Sequence, residues 1–233
     1  MIKEIQSSLK PFSIPINEGK LIRPQLVYFF GKHFGIKEKN ILDMAFIVEG
    51  IHNASLFIDD IIDDNPIRRG KPSLFQLKGD KKAISFSLLL ISRIIKKINK
   101  NYPPLLNLAL KIFEKMSKSE ISYINKKNYI KLCYQKTATL FIFSCIAPYL
   151  SLGWNKVKIS DLKKIYNFSK YLGILFQIRD DIIDEDLDIE LSFLEKKYHE
   201  VYGKLKKSLI NLPGFDQNSI EFLIDRLKDW ISL

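Results

Sequence analysis

Apolar side chains recur every three or four positions along most of the chain, which is the spacing of one face of an α-helix. One such stripe begins at Met44 and continues through Ile47, Val48, Ile51, Ser55, Ile58 and Ile62. The same spacing predicts helices over 81–98, 105–124, 128–147, 160–185, 190–211 and 217–231. Turn-forming residues separate these helices at 65–66, 99–104, 148–155 and 212–214. No strand alternation stands out, so the pattern predicts an all-α fold.

We find no internal repeat, no low-complexity linker and no shift in composition along the chain. The pattern therefore predicts one domain over 1–233. A stretch of 19 uncharged residues, 137–155, has the length of a membrane-spanning helix. Polar residues, Pro148 and Gly153 interrupt it, which favours a buried core helix that breaks near Pro148, with membrane contact as the alternative.

Composition adds a basic charge to this picture. The chain is 46% hydrophobic, enough for a sizeable core, and its net charge at pH 7 is +11, which suggests a nucleic-acid or membrane-surface partner. However, 31 of the 37 basic residues are Lys, and no nucleic-acid-binding motif or aromatic–basic interleaving stands out. Two cysteines, Cys133 and Cys145, and a start without the apolar core of a secretory signal predict a reducing, cytoplasmic location.

Two acidic clusters of the same form are the most specific feature of the sequence. They are Asp59-Asp60-Ile61-Ile62-Asp63, the first Asp motif, and Asp180-Asp181-Ile182-Ile183-Asp184, the second Asp motif. On a helix, the first and last Asp of each motif lie on one face, close enough to share a cation.

An acidic cluster on a helix is more often a solvated surface, but apolar residues flank both motifs. The flanking segments are 56–58 before the first motif and 175–176 before the second. Carboxylates among apolar residues repel one another and lose hydration unless a cation compensates their charge. Oxygen ligands without His or Cys at ligand spacing favour Mg²⁺ or Mn²⁺ over zinc. Because Mg²⁺ bridges carboxylates to phosphates, the two motifs predict a site that holds a diphosphate through metal ions.

Four of the six arginines lie close to the two Asp motifs or within residues 19–24: Arg23, Arg68, Arg69 and Arg179. A guanidinium group binds phosphate oxygens in a bidentate way that Lys cannot match. Lys20 lies three residues before Arg23, and Pro24 suits the first turn of a helix. His52 shares a helical face with the first Asp motif. The alternatives are a solvated Lys20, an ordinary half-buried His52 and an Arg179 that only neutralises the second motif.

Together these segments resemble the trans-isoprenyl diphosphate synthase (polyprenyl synthetase) family. The resemblance rests on GKLIRP at 19–24, HNASLFIDDIIDDNPIRRGKPS at 52–73, KTATLF at 136–141 and GILFQIRDDIID at 173–184. It implies an antiparallel helical bundle around a central cavity, usually as a homodimer. It also implies a prenyltransferase that condenses isopentenyl diphosphate with an allylic prenyl diphosphate by Mg²⁺-assisted ionisation. Peripheral membrane contact for product release is expected, and a nucleic-acid partner is not.

The resemblance further implies ligands for the metal and the substrates. About three Mg²⁺ ions, with Mn²⁺ as the alternative, would be bound by the aspartates of both motifs: Asp59, Asp60, Asp63, Asp180, Asp181 and Asp184. Arg68 would contact the same allylic diphosphate. The diphosphate of isopentenyl diphosphate would be held by a basic set: Lys20, Arg23, His52 and Arg69.

The implied catalytic set joins four of these aspartates, Asp59, Asp60, Asp63 and Asp180, to three residues of other segments. Lys136 and Gln177 would steady the departing diphosphate, and Thr137 would lie close to the developing carbocation. The diphosphate leaves, the double bond of isopentenyl diphosphate attacks, and a proton departs, so no protein nucleophile is required.

In the family, the side chains four and five residues before the first Asp motif stop the growing tail when they are bulky. Here these residues are Ser55 and Ala54. Small side chains predict an all-trans product of C20 or longer, since a helical turn of about 5.4 Å accommodates roughly one isoprene unit. In the alternative, Phe86 or Phe113 deeper in the cavity would close the cavity and limit the length of the product.

The sequence departs from the family pattern in three places. Only 18 residues precede Gly19, and 117–120 replaces the usual Gly-Gln and Asp segment. An acidic run, 185–190, replaces the Lys-containing lid segment after the second motif, and a weakened lid favours hydrolysis or early release. We therefore expect a family domain that is short at its N-terminus and after the second motif. A terpene synthase on the same fold and a non-catalytic subunit of a heteromeric synthase are the alternatives.

Overall fold

Helices dominate the computed structural model, which describes residues 20–184 and 189–231. Contacts within the chain divide it into two compact units, Met1–Ala109 and Leu110–Leu233. The all-α prediction is confirmed, whereas one domain over 1–233 stays a prediction.

The first unit contains helices and one short hairpin. In chain order its elements are α1 (Ile22–His33), α2 (Glu38–Ile62), β1 (Ile67–Arg68), β2 (Lys71–Pro72), α3 (Leu74–Lys78), α4 (Asp80–Asn101) and a 3₁₀ turn (Pro103–Leu105). Pro24 lies in the first turn of α1, as predicted. Helix α5 (Leu106–Glu120) begins in this unit and continues into the second.

Helix α2 forms the centre of the first unit and packs against α1 and α4. A Cβ on Gly50 would lie 2.7 Å from Cδ1 of Ile94, so the missing side chain allows α4 to approach closely. The buried Ser87 of α4 donates its hydroxyl to the carbonyl of Ala54 at 2.7 Å. These contacts fix the helix that carries the first Asp motif.

Of the described residues, only helix α2 is both long and apolar enough to cross a membrane. In its most apolar window, 72% is buried inside the protein. A core helix of a folded domain passes the same length test, and the burial of α2 supports that interpretation.

A two-residue hairpin follows the first Asp motif within the otherwise helical first unit. Arg68 pairs with Lys71 and Ile67 with Pro72 in antiparallel register. Positive φ at Arg69 (54°) and Gly70 (72°) makes the tight turn that suits the twist of paired strands. Strands of two residues are too short to produce a pattern of alternation, so periodicity could not predict them.

Every regular element in the described part of the second unit is a helix or a helical turn. Its elements are α6 (Tyr129–Cys133), a π-helical turn (Tyr134–Ala138), α7 (Thr139–Leu150), a 3₁₀ turn (Trp154–Lys156), α8 (Ile159–Asp184), α9 (Leu191–Leu209) and α10 (Gln217–Ile231). Helix α8 packs against α7, α9, α10 and the π-helical turn. A Cβ on Gly173 would lie 2.5 Å from Cα of Ala138, so this glycine allows the π-helical turn to contact α8.

Most of the uncharged stretch forms a buried helix, as predicted. Every residue of α7 is buried, including Pro148. The helix continues through Pro148 and ends at Leu150, so the break falls two residues later than the proline.

Candidate active site

The first Asp motif lies at the C-terminal end of α2. Asp60 is only 2% exposed and accepts a hydrogen bond from Nε of Arg68 on the hairpin. Burial raises the pKa of Asp60, and the hydrogen bond and charge of Arg68 oppose that shift. Asp59 is half-buried, and Asp63 is exposed just after the helix, with its N–H donated to the carbonyl of Asp59 at 2.8 Å. The motif therefore has one inward aspartate and two that are more accessible.

A basic cluster of Arg23, Arg68 and Arg69 lies around His52, which is on α2 about two helical turns before the first Asp motif. Nη1 of Arg23 lies 3.3 Å from Nε2 of His52, and because a guanidinium only donates, Nε2 accepts. Burial, followed by the charges of Arg23, Arg69 and Arg68, lowers the pKa of His52 well below its usual value. His52 is therefore neutral at pH 7. The structure thus brings together three predicted arginines and the predicted histidine.

Lys20 lies exposed two residues before α1. Its carbonyl accepts a hydrogen bond from Nε2 of Gln25 at 2.6 Å, which fixes the backbone beside Arg23. The neighbouring Gly19 of the same predicted motif lies outside the described residues.

Glu49 is a buried carboxylate that the sequence analysis missed. It is 3% exposed, and Asn53 donates to its Oε1 at 3.0 Å and to its carbonyl at 2.8 Å. Burial raises the pKa of Glu49, while Arg23, Asn53 and Arg69 lower it. Glu49 thus lies within the field of the basic cluster, whose charges partly offset the effect of its burial. Its position three residues before His52, on the same helical face, is the signal that could have identified it.

The second Asp motif forms the last turn of α8. Asp180 accepts a hydrogen bond from Nη1 of Arg179 at 3.1 Å, so Arg179 neutralises part of the charge of the motif. Asp184 is the exposed last residue of the helix. Residues 185–188, the start of the acidic run that follows, lie outside the described residues. Glu190, after them, pairs with Lys126 at 2.8 Å.

Asp181 lies in a chain of hydrogen bonds that joins three predicted residues. Thr137 of the π-helical turn donates its hydroxyl to Oε1 of Gln177, and Nε2 of Gln177 donates to Oδ1 of Asp181 at 2.7 Å. Tyr129 donates its hydroxyl to Oδ2 of Asp181 at 2.5 Å. Burial raises the pKa of Asp181, and these two donors oppose the shift. Tyr129 was not predicted, because nothing local in the sequence marks a partner 52 residues away.

Lys136, the fourth predicted residue of this region, contacts a carboxylate. Its Nζ lies 3.3 Å from Oε1 of Glu120, the last residue of α5 and of the segment that departs from the family pattern. The lysine side chain is 42% exposed. An ion pair with such an accessible lysine contributes little to stability.

The two positions predicted to limit product length have different environments. Ala54 is fully buried, and its carbonyl accepts from Ser87. Ser55 is half-buried and donates its hydroxyl to the carbonyl of His52 at 2.8 Å. Phe86 and Phe113, the alternative limits, are both half-buried.

The donor set of both motifs fits Mg²⁺. Within residues 20–184 and 189–231, no three His, Cys, Asp or Glu side chains are gathered into a metal cage. Mg²⁺ does not need one, because it keeps several waters and binds through one or two carboxylates and substrate phosphates. Both motifs also lie at helix C-termini, where the partial negative charge of the helix opposes carboxylates and favours a bound cation.

Comparison with known proteins identifies a family that matches this chain. The model of the polyprenyl synthetase family matches residues 6–197, which include every site residue described above. Hexaprenyl pyrophosphate synthase of Saccharolobus solfataricus is 29% identical over 201 residues, which cover 82% of this chain and 69% of that protein. The chain spans between 43% and 69% of the length of the first four curated relatives that it matches.

Solved structures show the same fold. The crystal structure of geranyltranstransferase from Thermotoga maritima has a TM-score of 0.80 at 24% identity, covering 98% of this chain and 89% of that one. Polyprenyl synthase from Caulobacter crescentus, complexed with calcium and isoprenyl diphosphate, has a TM-score of 0.75 at 17% identity, covering 98% and 92%.

Proposed function

The chain belongs to the polyprenyl synthetase family, and on that basis we propose that it is a trans-prenyltransferase that condenses isopentenyl diphosphate with an allylic prenyl diphosphate. The observation that carries the proposal is the repetition of one acidic motif at the C-terminal ends of α2 and α8. The basic cluster around a neutral His52 supports the binding of a second diphosphate.

In this proposal the two Asp motifs hold Mg²⁺, with Mn²⁺ as a substitute. When bound, the metal supplies positive charge that stabilises the diphosphate as it leaves. The accessible carboxylates of Asp59, Asp63, Asp180 and Asp184 support direct contact with the metal. Asp60 and Asp181 accept hydrogen bonds from Arg68 and Tyr129, which lie outside the helix of each motif, and these bonds support carboxylates held in a fixed orientation for the metal.

Side chains of the chain perform the remaining tasks. Arg68 and Lys136 add positive charge for the allylic diphosphate, and the carbon–oxygen bond ionises because the developing negative charge is stabilised. Arg23 and Arg69, with Lys20, bind the diphosphate of isopentenyl diphosphate. Neutral His52 accepts from Arg23 through Nε2 and keeps its Nδ1 proton for donation.

The size of the residues beneath the first Asp motif supports a product of C20 or longer. Ala54 and Ser55 are both too small to stop the tail, and the half-buried Ser55 leaves room beside it. Each further helical turn of about 5.4 Å adds space for roughly one isoprene unit.

An exposed apolar stripe on α4 supports a homodimer. Ile84 and Leu88 are 42% and 60% exposed, and Ile91 and Ile95 continue the stripe at helical spacing. An apolar stripe beside the buried face of a helix is the kind of surface that a second copy of the chain covers.

A loop in the second unit supports peripheral membrane contact for product release. Trp154 and Ile159 are 64% and 70% exposed, and Lys156 and Lys158 lie between them. Exposed Trp with flanking Lys suits the interface of an anionic bilayer. Sedimentation with phosphatidylglycerol vesicles tests this contact, and equal binding by Trp154→Ala would refute it. The two buried free thiols, Cys133 and Cys145, support a cytoplasmic location, which fractionation of the source cells tests.

One assay tests the activity. The purified protein is incubated with Mg²⁺, labelled isopentenyl diphosphate and allylic primers of C5 to C20, and the products are separated by chain length. We expect elongated products that disappear in Asp59→Ala and Asp180→Ala. Asp225→Ala, which removes an exposed partner of Lys228, is the matched control and should remain active.

Other outcomes would move the assignment. Consumption of the allylic primer with formation of a hydrocarbon would indicate a terpene synthase. Absence of turnover by the isolated chain, with activity restored by a second protein, would indicate a subunit of a heteromeric synthase.

A further inference from the structure

Tyr129 is a buried tyrosine that joins the second Asp motif to two other segments. It begins α6 and has no exposed surface. Its hydroxyl donates to Oδ2 of Asp181 at 2.5 Å. Its ring meets the ring of Phe193 edge-on, with centroids 5.9 Å apart and planes inclined by 70°. Tyr129 therefore contacts both the motif and the first turn of α9.

Each oxygen of the Asp181 carboxylate has its own donor. Oδ1 accepts from Nε2 of Gln177, and Oδ2 accepts from Tyr129. Two donors on two different oxygens define the plane of a carboxylate, because rotation about its terminal bond would break both hydrogen bonds. A second lone pair on each oxygen remains for a metal ion or its water.

The donor on Oδ1 is itself held in orientation. Thr137 donates to Oε1 of Gln177, so the amide nitrogen of Gln177 must face Asp181. Gln177 lies one helical turn before Asp181 on α8, whereas Tyr129 comes from α6. The Tyr129 hydroxyl is thus the contact that fixes Asp181 relative to a different helix.

We propose that Tyr129 is a positioning residue for the metal site, and that its hydroxyl holds the Asp181 carboxylate in the orientation that supports metal binding by the second Asp motif. The inference rests on the proposed function, because it assumes that this motif binds a divalent cation with a diphosphate. Hydrogen-bond partners of metal-ligand carboxylates commonly change metal affinity by about 10- to 100-fold when removed.

Tyr129→Phe tests the proposal, because it removes only the hydroxyl and keeps the ring that packs on Phe193. Mn²⁺ binding is measured by electron paramagnetic resonance in the presence of inorganic diphosphate, and the Mg²⁺ concentration for half-maximal activity is measured in parallel. We expect about a 10-fold weaker affinity for Mn²⁺ and a similar rise in the Mg²⁺ requirement.

Tyr198→Phe is the matched control. Tyr198 is also a buried tyrosine of the second unit, but its hydroxyl donates to the carbonyl of Ile231 at 2.7 Å. This variant should lose stability without losing Mn²⁺ affinity. Equal loss of Mn²⁺ affinity in both variants, or none in Tyr129→Phe, would overturn the proposal.

A double-mutant cycle identifies the residue through which Tyr129 acts. In an Asp181→Ala background, Tyr129→Phe should cause no further loss of Mn²⁺ affinity, because the carboxylate that the hydroxyl orients is absent. An additional loss of the full size would contradict action through Asp181.

The same measurements separate this inference from the proposed function. If the Mn²⁺ affinity of the protein depends on Tyr129 but the wild type forms no prenyl product, the inference stays intact and the proposed activity is refuted. An active wild type whose Tyr129→Phe variant keeps full Mn²⁺ affinity refutes only the inference. A wild type that binds no Mn²⁺ with diphosphate refutes both.

Discussion

The hydroxyl of Ser87 on α4 donates a hydrogen bond to the backbone carbonyl of Ala54 on α2, at 2.7 Å within the buried core of the first unit. This contact places Ala54 close to α4. Ser55, the next residue, points about 100° further round the helix and is half-buried. The two positions predicted to limit product length therefore differ in the space around them.

We expect Ser55→Phe to shorten the product and Ala54→Phe to destabilise the protein. Ser55 has partial exposure into which a ring can extend, whereas overpacking at the closed Ala54 position costs about 1–3 kcal/mol. Chain-length analysis of products and thermal unfolding of both variants check this. Unchanged products from Ser55→Phe, or full stability of Ala54→Phe, would contradict the interpretation.

His52 should make the folded protein less stable in acid. Burial and the neighbouring arginines lower its pKa in the folded state, while the unfolded chain takes up a proton near the ordinary value of 6.5. As the pH falls below 6.5, the unfolded state alone gains that proton, so the free energy of unfolding decreases. Above 6.5 the imidazole is neutral in both states, and its contribution stays constant.

Urea unfolding at about pH 8 and about pH 5.5 measures this contribution. We expect His52→Gln to lose less stability between the two pH values than the wild type. His199→Gln, on the exposed surface of α9, is the control and should follow the wild type. Identical declines in all three proteins would show that His52 does not titrate as expected.

Lys136 should matter for catalysis and Glu120 should not. Their ion pair is partly exposed, so it gives way to a substrate diphosphate at little cost. We expect Lys136→Met to lower kcat by about 10²-fold, the typical effect of removing one group that stabilises transition-state charge. Glu120→Gln should retain activity within a few-fold. Steady-state kinetics with the allylic primer varied check both, and equal losses would show that the ion pair itself is required.

The exposed stripe of α4 should determine the oligomeric state. We expect Leu88→Glu to convert a dimer into monomers, because a charge at the centre of an apolar interface is left desolvated and unpaired. Lys96→Glu, on a different exposed face of the same helix, is the matched control. Light scattering after size-exclusion chromatography measures the mass, and a dimer that survives Leu88→Glu would place the interface elsewhere.

Long elements were predictable from the sequence because each buries one face. The predicted helix over 217–231 coincides with α10, and the pattern over 160–185 begins one residue after the start of α8, while its last residue lies outside the described residues. The spacing of both Asp motifs was equally predictable, since an i, i+4 relation needs only a helix.

Contacts that bridge distant parts of the chain were not predictable in the same way. Tyr129 and Asp181 are 52 residues apart, and the tyrosine belongs to a pattern that reads only as an apolar helix. The burial of Asp60 against Arg68 depends on a hairpin whose strands have two residues each. Local patterns predicted which residues carry the chemistry, while tertiary packing decides which of them are held by the protein.

The π-helical turn at Tyr134–Ala138 carries Lys136 and Thr137 and lies against Gly173 of α8. A π-helical turn holds one residue more than an α-helical turn. Deleting a single residue here would convert it to regular α-helix and rotate all preceding residues by about 100° relative to α7. Tyr129 would then turn away from Asp181, although every side chain of the motifs were still present. The rotation of α6 relative to α7 therefore depends on the number of residues in this turn. Positions on α6 and α7 of related chains should be compared by counting outward from the turn.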